Sequence, residues 1–358
     1  MKKKIAVLAG DGIGPEVISQ ALRVLDKIAE KYGHQFNYQP ALIGGAAYDK
    51  YQEHFPAETK TICQNSDAIL FGSVGGPVEE LNQEKWKSCE VNALLGVRKA
   101  FNFNANFRPA KVRSELKNIC PLKNEIIKDG VDLLIVRELV GDIYFGEKKF
   151  FNKDDKRAAL DAAEYDENQI RSIAHVGFQA ALKRRKKLSS VDKANVLHVS
   201  KLWREIVIEV SKEYPEVELE HVLVDNCAMQ LILNPSQFDV IVTGNMFGDI
   251  LSDEAAVLPG SLGLMPSASL NKDGFGMYEP SGGSAPDIAG KNLANPIAQI
   301  ESAAFMLRFS FNLEAEARDI EVAVEKTLKQ GFRTGDIFEE GKIKMGTKEI
   351  TDKILENI

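Results

Sequence analysis

Two carboxylates four residues apart, Asp249 and Asp253, are the clearest pointer to chemistry in this chain. They follow Val240-Ile241-Val242-Thr243, a β-branched run that reads as a buried strand, and Gly244-Asn245, which punctuates it. The residues beyond suit a helix, where positions four apart stack one turn above the other on one face. Two negative charges so placed repel. A hard divalent cation would cancel that repulsion, because Mg²⁺ takes oxygen ligands from a few carboxylates plus substrate oxygens; two solvated helix aspartates would show the same spacing. No basic residue adjoins either one in the sequence, which favours a metal. Asp225, after the run His221-Val222-Leu223-Val224, is a third candidate, since α/β folds place their sites at strand ends.

Arginines supply the complementary charge. At helical spacing Glu90, Leu94 and Arg98 share a face, with Leu95 beside them. An arginine next to an apolar pair needs a partner if it lies in a core. As a pocket the group would suit a ligand with an alkyl group and a carboxylate; core packing of Leu94 and Leu95 is the alternative. The alternating segment Phe101 to Pro109 reads as a strand ending at the proline, and it delivers Arg108. Val131 to Glu138 reads as another and delivers Arg137. Guanidinium forks bind carboxylates in bidentate fashion, so three together would suit a dicarboxylate, whereas each alone would be a surface ion pair. Tyr144 sits between two glycine turns in Gly141-Asp142-Ile143-Tyr144-Phe145-Gly146. Lys193 lies between apolar flanks in Val191 to Leu197, a short strand edge. A lysine near a buried carboxylate and a metal could accept a proton.

These residues need a scaffold. Ile5 to Ala9 is a strand, Gly10-Asp11-Gly12-Ile13-Gly14-Pro15-Glu16 a glycine-rich turn, and Val17 to Ala29 a helix. The glycine spacing is not the dinucleotide fingerprint, and no P-loop lysine follows. Either a phosphate or ribose approaches the backbone near Ile13, or a tight turn simply needs glycine. Asp67 to Gly72 is a second strand, with a turn through Gly76 and Pro77 after it. The charged stretch Lys148 to Asp166 fits no core pattern and reads as an excursion or arm. Ile170 to Leu182 is an amphipathic helix whose basic end, Lys183 to Lys187, reads as a solvated C-terminus favoured by the helix dipole. Leu202 to Val210 is helical. Glu279 to Pro296 is a long loop of glycine, proline and polar residues, the kind that is usually functional. Pro296 starts a helix through Phe309, and the remainder is mainly helical.

At 358 residues the chain has room for two domains or one large α/β unit. Its composition is that of an ordinary globular protein, and a net charge of −7 gives no support to a nucleic-acid role. Cys63, Cys89, Cys120 and Cys227 are scattered, with no Cys-x-x-Cys pair, so neither a zinc site nor a disulfide framework is indicated and a reducing cytoplasm fits. Met1-Lys2-Lys3-Lys4 before Ile5 to Ala9 has the outline of a signal peptide, but the apolar run is too short and Gly10-Asp11-Gly12 interrupts it. No stretch is long enough to span a membrane.

Taken in order, Gly10 to Glu16, Leu94-Leu95 with Arg98, Asn106-Phe107-Arg108-Pro109, Arg137 to Gly146, Asp192-Lys193-Ala194-Asn195, Val224-Asp225, Gly244 to Asp253 and Glu279 to Pro296 closely resemble the β-decarboxylating dehydrogenases of the isocitrate/isopropylmalate type, over essentially the whole chain. The resemblance implies a two-domain open α/β sandwich that is not a Rossmann fold. Residues 1–103 with 262–358 would form the first, cofactor-side domain, and 104–261 the second, with the dimer interface and an intersubunit arm near Lys148 to Asp166. It implies that Arg98, Arg108 and Arg137 hold malate carboxylates, with Glu90, Leu94, Leu95 and Asp225 also lining the substrate. Asp225, Asp249 and Asp253 would bind Mg²⁺ or Mn²⁺, and Lys193 and Tyr144 would be the acid–base pair. NAD would meet Ile13, Gly76, Pro77, Glu279, Gly283, Ser284, Ala285, Pro286, Asp287, Ile288 and Asn295. Asp287 followed by Ile288 matches NAD-using members, where the carboxylate binds the ribose diol; NADP-using members carry lysine and tyrosine there. One departure is Gly282, where many members carry a histidine.

The implied reaction is oxidation and decarboxylation of 3-isopropylmalate to 2-oxoisocaproate, in leucine biosynthesis, by a cytoplasmic homodimer with Lys193 and Asp225 contributed across subunits. Isocitrate or homoisocitrate would need polar partners for a further carboxylate, which Leu94 and Leu95 do not offer. A non-catalytic metal- or anion-binding module of the same fold would not need Lys193, Tyr144 and all three aspartates.

Overall fold

A computed structural model describes residues 1–358. In chain order it begins with strand β1 (Lys2–Gly10), helix α1 (Gly14–Tyr32), β2 (Gln35–Pro40), α2 (Gly45–Tyr51), α3 (Ala57–Gln64) and β3 (Ala68–Ser73). A π-helical turn (Val91–Leu95) leads into α4 (Gly96–Ala100). Then come β4 (Ala105–Val112), β5 (Val131–Glu138), β6 (Lys148–Lys153), β7 (Lys156–Asp161), α5 (Glu167–Leu182), β8 (Lys187–Asp192), α6 (His198–Ser211), β9 (Glu218–Leu223), α7 (Val224–Leu233), β10 (Val240–Thr243) and α8 (Asn245–Ala256). The chain closes with β11 (Pro266–Leu270), β12 (Gly276–Pro280), α9 (Ile297–Phe309), α10 (Glu314–Lys329), β13 (Phe332–Arg333), β14 (Ile343–Lys344) and α11 (Thr347–Glu356).

Two compact units result. One comprises Met1–Asn102, Glu115–Ile119 and Pro259–Ile358; the other comprises Phe103–Ser114 and Cys120–Leu258. In the first, five strands run in the order β2-β1-β3-β12-β11. All neighbours there are parallel except β11, which runs antiparallel to β12. Every residue of β3 is buried, as a strand covered on both faces requires. α9 is buried almost all round and serves as a core helix packed between α1 and α10. The second unit repeats the plan in the order β4-β5-β10-β8-β9, parallel except for β4 against β5. Here β10, as expected of its β-branched run, is wholly buried. Both units are therefore mixed α/β with a single antiparallel strand, unlike the doubly wound Rossmann arrangement. No helix is long and apolar enough to cross a membrane.

Local sequence fixes the start of one helix clearly. α5 starts in a capping box, with Asp166 and Gln169 each bonding the other's backbone N–H, worth about 1 kcal/mol. Three expectations need correction. β4 begins at Ala105, after a turn with Asn102 in the left-handed region, and runs through Pro109 to Val112. The proline sits opposite Leu134 inside the strand, because losing one N–H costs a ladder bond but does not bend the chain. Lys193 is on no strand edge. β8 lies between β10 and β9 and ends at Asp192, so Lys193 opens the turn that follows. The basic run after α5 is only partly solvated. Arg184 and the backbone of Arg185 hold the fully buried Asp239 carboxylate at 2.8 and 2.7 Å, because a buried carboxylate must be paired. Burial opposes the Arg184 charge, but bonds to Asp132 and Asp239 raise its pKa. All four cysteines are free and buried; burial pushes the Cys63 and Cys227 thiols up to about 12.

Candidate active site

In the second unit, β4 and β5 carry Arg108 and Arg137, and α8 faces them with Asp249 and Asp253 one turn apart. Arg137 is buried. Its Nε donates to Asn245 Oδ1 at 3.0 Å and its Nη1 to Asp249 Oδ1. Arg108 donates from Nε to Asn106 Oδ1 at 2.9 Å and from Nη1 to Asp253 Oδ1 at 3.2 Å. The aspartates therefore do have basic neighbours. They come from strands more than a hundred residues away in sequence, which inspection of flanking residues could not reveal. Close approach of α8 to β5 depends on Gly248, where a Cβ would lie 2.7 Å from the Arg137 side chain.

Tyr144 donates its hydroxyl to Asp249 Oδ2 at 2.9 Å. Burial, then the bond to Asp249, holds the phenol above its ordinary pKa, so Tyr144 stays protonated. Lys193 Nζ donates to Asp225 Oδ1 at 2.6 Å, and that bond pulls the exposed Asp225 carboxyl below the usual range. Within the chain Asp225 thus stands with Lys193. No three His, Cys, Asp or Glu side chains gather closely enough to hold a metal ion.

In the first unit the chain widens into its π turn at Val91–Leu95, which alters the regular spacing assumed for Glu90, Leu94 and Arg98. Leu94 and Leu95 are half-buried, not core residues. Arg98 is 4% exposed and donates from Nη2 to Glu279 Oε1 at 3.1 Å, while its Nε has no hydrogen-bond partner. Glu279 belongs to β12, not to the loop after it.

The turn between β1 and α1 holds that loop. Ile13 N–H donates to Ser284 O at 2.8 Å, and Glu16 Oε2 accepts from Gly290 N–H at 3.0 Å. Gly12 has φ +57°, and a Cβ there would sit 1.9 Å from Ser284 O, so this position requires glycine twice over. Asp11 is buried and accepts from the N–H groups of Gly45, Ala46 and Gly75; burial raises its pKa and those bonds oppose the rise. Gly76 lies under the Trp86 ring, next to Pro77. Between the loop's two anchors Pro286 and Asp287 are exposed, with Ala285 and Ile288 half-buried; Gly283, just before the first anchor, is exposed as well. Asn295 is committed to structure, accepting from Ile297 N–H and donating to Asp336. Sequence reasoning missed Asn106, Asn245, Asp11 and Glu16 as supports. Only Asn106 had a readable signal, being two residues before Arg108 on one strand face.

A family model described as isocitrate/isopropylmalate dehydrogenase matches residues 4–354. The chain is 57% identical to the 3-isopropylmalate dehydrogenase of Aquifex aeolicus, covering 100% of this chain and 98% of that protein. It is 56% identical to the 3-isopropylmalate dehydrogenase of Clostridium acetobutylicum, with 98% of each covered. Its structure is similar to the crystal structure of isocitrate dehydrogenase from Methylococcus capsulatus, with a TM-score of 0.86, 34% identity and 99% of each chain covered.

Proposed function

The chain belongs to the isocitrate/isopropylmalate dehydrogenase family, and we propose that it oxidises and decarboxylates 3-isopropylmalate to 2-oxoisocaproate with NAD, in leucine biosynthesis. The observation that carries the substrate is the pair Leu94 and Leu95, half-buried on a π turn that leads into the helix carrying the buried Arg98. An alkyl surface beside a guanidinium suits a malate bearing an isopropyl group. The two leucines offer nothing to the extra carboxylate of isocitrate, whose burial without a partner would be costly.

Asp249 and Asp253 suit a divalent cation. They are oxygen donors on one helix face, open to solvent, and a cation would replace the guanidinium charges they now meet. Asp225 from a second copy of the chain would complete the set, with Lys193 beside it. When bound, the cation polarises the substrate's C2 hydroxyl and stabilises negative charge on that oxygen. Arg98, Arg108 and Arg137 hold the two carboxylates. Lys193 would take the hydroxyl proton, and NAD⁺ held by the first unit would serve as the acceptor of the C2 hydride, so that the product is a ketone β to the second carboxylate. Loss of CO₂ leaves its electron pair as an enolate, and Tyr144, kept protonated, delivers a proton to the carbon. The exposed Asp287 on its pinned loop suits the ribose diol, accepting from both hydroxyls.

Two features support a homodimer. Met229 and Leu233 on α7, with Ile250 on α8 and Val257 just past its end, are more than half exposed, a surface a second copy would cover. The β6–β7 hairpin projects Phe150, 93% exposed, as an intersubunit arm would. The test is NADH absorbance with Mg²⁺ and each of 3-isopropylmalate, isocitrate and homoisocitrate. Turnover of 3-isopropylmalate alone, abolished by EDTA and restored by Mn²⁺, is expected. Equal turnover of isocitrate would overturn the substrate assignment.

A further inference from the structure

We propose that Asp142 is a positioning residue for Tyr144, clamping the turn that carries the phenol to the helix that carries Asp249. Asp142 is a non-glycine residue with φ +70°, in the left-handed region, and it is only 7% exposed. Aspartate tolerates that backbone region better than most residues, but a buried carboxylate needs partners to hold it there. Its carboxylate accepts two backbone N–H groups, from Ile143 at 2.8 Å to Oδ1 and from Met246 at 3.0 Å to Oδ2. Met246 N–H belongs to the first turn of α8, where a negative charge also meets the positive end of the helix dipole. The backbone of Asp142 closes the other side of the turn, its carbonyl accepting from Phe145 and Gly146 N–H at 3.1 Å each. Tyr144 thus lies inside a loop fastened at both ends through one residue. Its hydroxyl meets Asp249, one turn further along the helix that Asp142 holds.

Two other ties join the same elements. Asn245 Nδ2 donates to Gly141 O at 3.2 Å, and Asn245 N–H donates to the Tyr165 hydroxyl at 2.8 Å. Tyr165 in turn bonds the buried Glu138, whose carboxylate accepts the N–H groups of Val140 and Gly141. These fix the start of the turn, upstream of Tyr144. Only the Asp142 carboxylate links the tyrosine's own stretch of backbone to α8. The helix start is closely packed on this clamp, since a Cβ on Gly244 would stand 3.3 Å from Asp142 Oδ2 and 3.2 Å from the Tyr165 hydroxyl.

The inference rests on the role given to Tyr144 above. Asp142→Gly keeps the left-handed backbone and removes the clamp. It is expected to lower kcat roughly tenfold to a hundredfold, the scale of a small misplacement of a reacting group, with KM for 3-isopropylmalate and the Kd for NADH within about threefold of the parent. Asp142→Asn tolerates the same φ and keeps one acceptor, and it should recover most of the lost kcat. The deciding measurement is the double variant. In a Tyr144→Phe background, Asp142→Gly should cost no further kcat, because the group it positions is already gone. A full additional loss there overturns the inference while leaving Tyr144's role intact. Unchanged kcat in Asp142→Gly, or no recovery in Asp142→Asn, also overturns it. A Tyr144→Phe enzyme as fast as the parent overturns the role of Tyr144 and this inference with it.

Discussion

The two units equip their functional residues by opposite means. In the second unit the proposed site consists of charged side chains on regular elements, Arg108 and Arg137 on strands against Asp249 and Asp253 on a helix, with each charge already answered by another. In the first unit it is built from backbone. Ser284 O, Gly290 N–H and the N–H groups of Gly45, Ala46 and Gly75 are held by the β1–α1 turn and the start of α1, and the charge pair Arg98 with Glu279 is out of solvent. A set of paired charges can be re-paired by a cation and a dicarboxylate. A set of pinned loops can only offer a shape. Damage to the former should therefore appear in the chemical step, and damage to the latter in cofactor binding.

The largest effect expected is on the charged set. Asp249→Asn should lower kcat by on the order of a hundredfold or more and weaken Mn²⁺ binding by at least about tenfold; calorimetry with substrate present that finds unchanged Mn²⁺ affinity would remove Asp249 from the metal site. Lys193→Met should abolish hydride transfer, whereas Tyr144→Phe should slow decarboxylation of the supplied oxidised intermediate more than it slows oxidation.

Next in size is the choice of cofactor, which belongs wholly to the first unit. NAD should be preferred over NADP by at least about a hundredfold in kcat/KM, roughly 2.7 kcal/mol, because Asp287 sets like charge against a 2′-phosphate. Asp287→Lys with Ile288→Tyr should erode or reverse the preference, and comparable constants for the two cofactors in the parent would show that Asp287 does not face the ribose. A smaller change is expected from Gly12→Ala. Strain at φ +57° and the clash with Ser284 O should cost about 1–3 kcal/mol of stability. They should raise KM for NAD with kcat within about twofold, and a fall in kcat alone would break the division between shape and chemistry.

How much of this was readable depends on the distance over which the cause acts. The strand–turn–helix motifs and the i, i+4 aspartates of α8 are local patterns, and they appear where periodicity and turn residues put them, whereas the β6–β7 hairpin within the charged stretch had no such pattern to read. The pairing of Arg98 with Glu279 spans 181 residues, and that of Arg137 with Asp249 spans 112, so no window of sequence contains either. The π turn at Val91–Leu95 was invisible for another reason, since a search at 3.6 residues per turn assumes what the chain departs from. Asp142 gave no signal because its carboxylate's partner on α8, the Met246 N–H, lies 104 residues further along the chain.

The smallest effect is a pH dependence in the second unit. Both ring nitrogens of His221 are buried without a partner, and burial, then Arg204, lowers its pKa. A histidine whose folded pKa is depressed resists charging, so the unfolded chain binds more protons below about pH 6.5. Stability should be full above that pH and fall as the solution is acidified towards the folded pKa. His221→Leu should flatten that part of a melting-temperature profile, and an unchanged slope would assign it to other groups.

The first unit is assembled from both ends of the chain. β1 and β3 arrive early, but β11, β12 and the core helix α9 come from beyond residue 259, so an emerging chain carries half a sheet for most of its synthesis. The second unit lies almost wholly within residues 120–258 and is complete well before release from the ribosome. Domains fold as units when their sequence is available. Assembly in that manner would not follow the order of translation: the middle of the chain would settle first, and its early strands would wait for segments beyond residue 259.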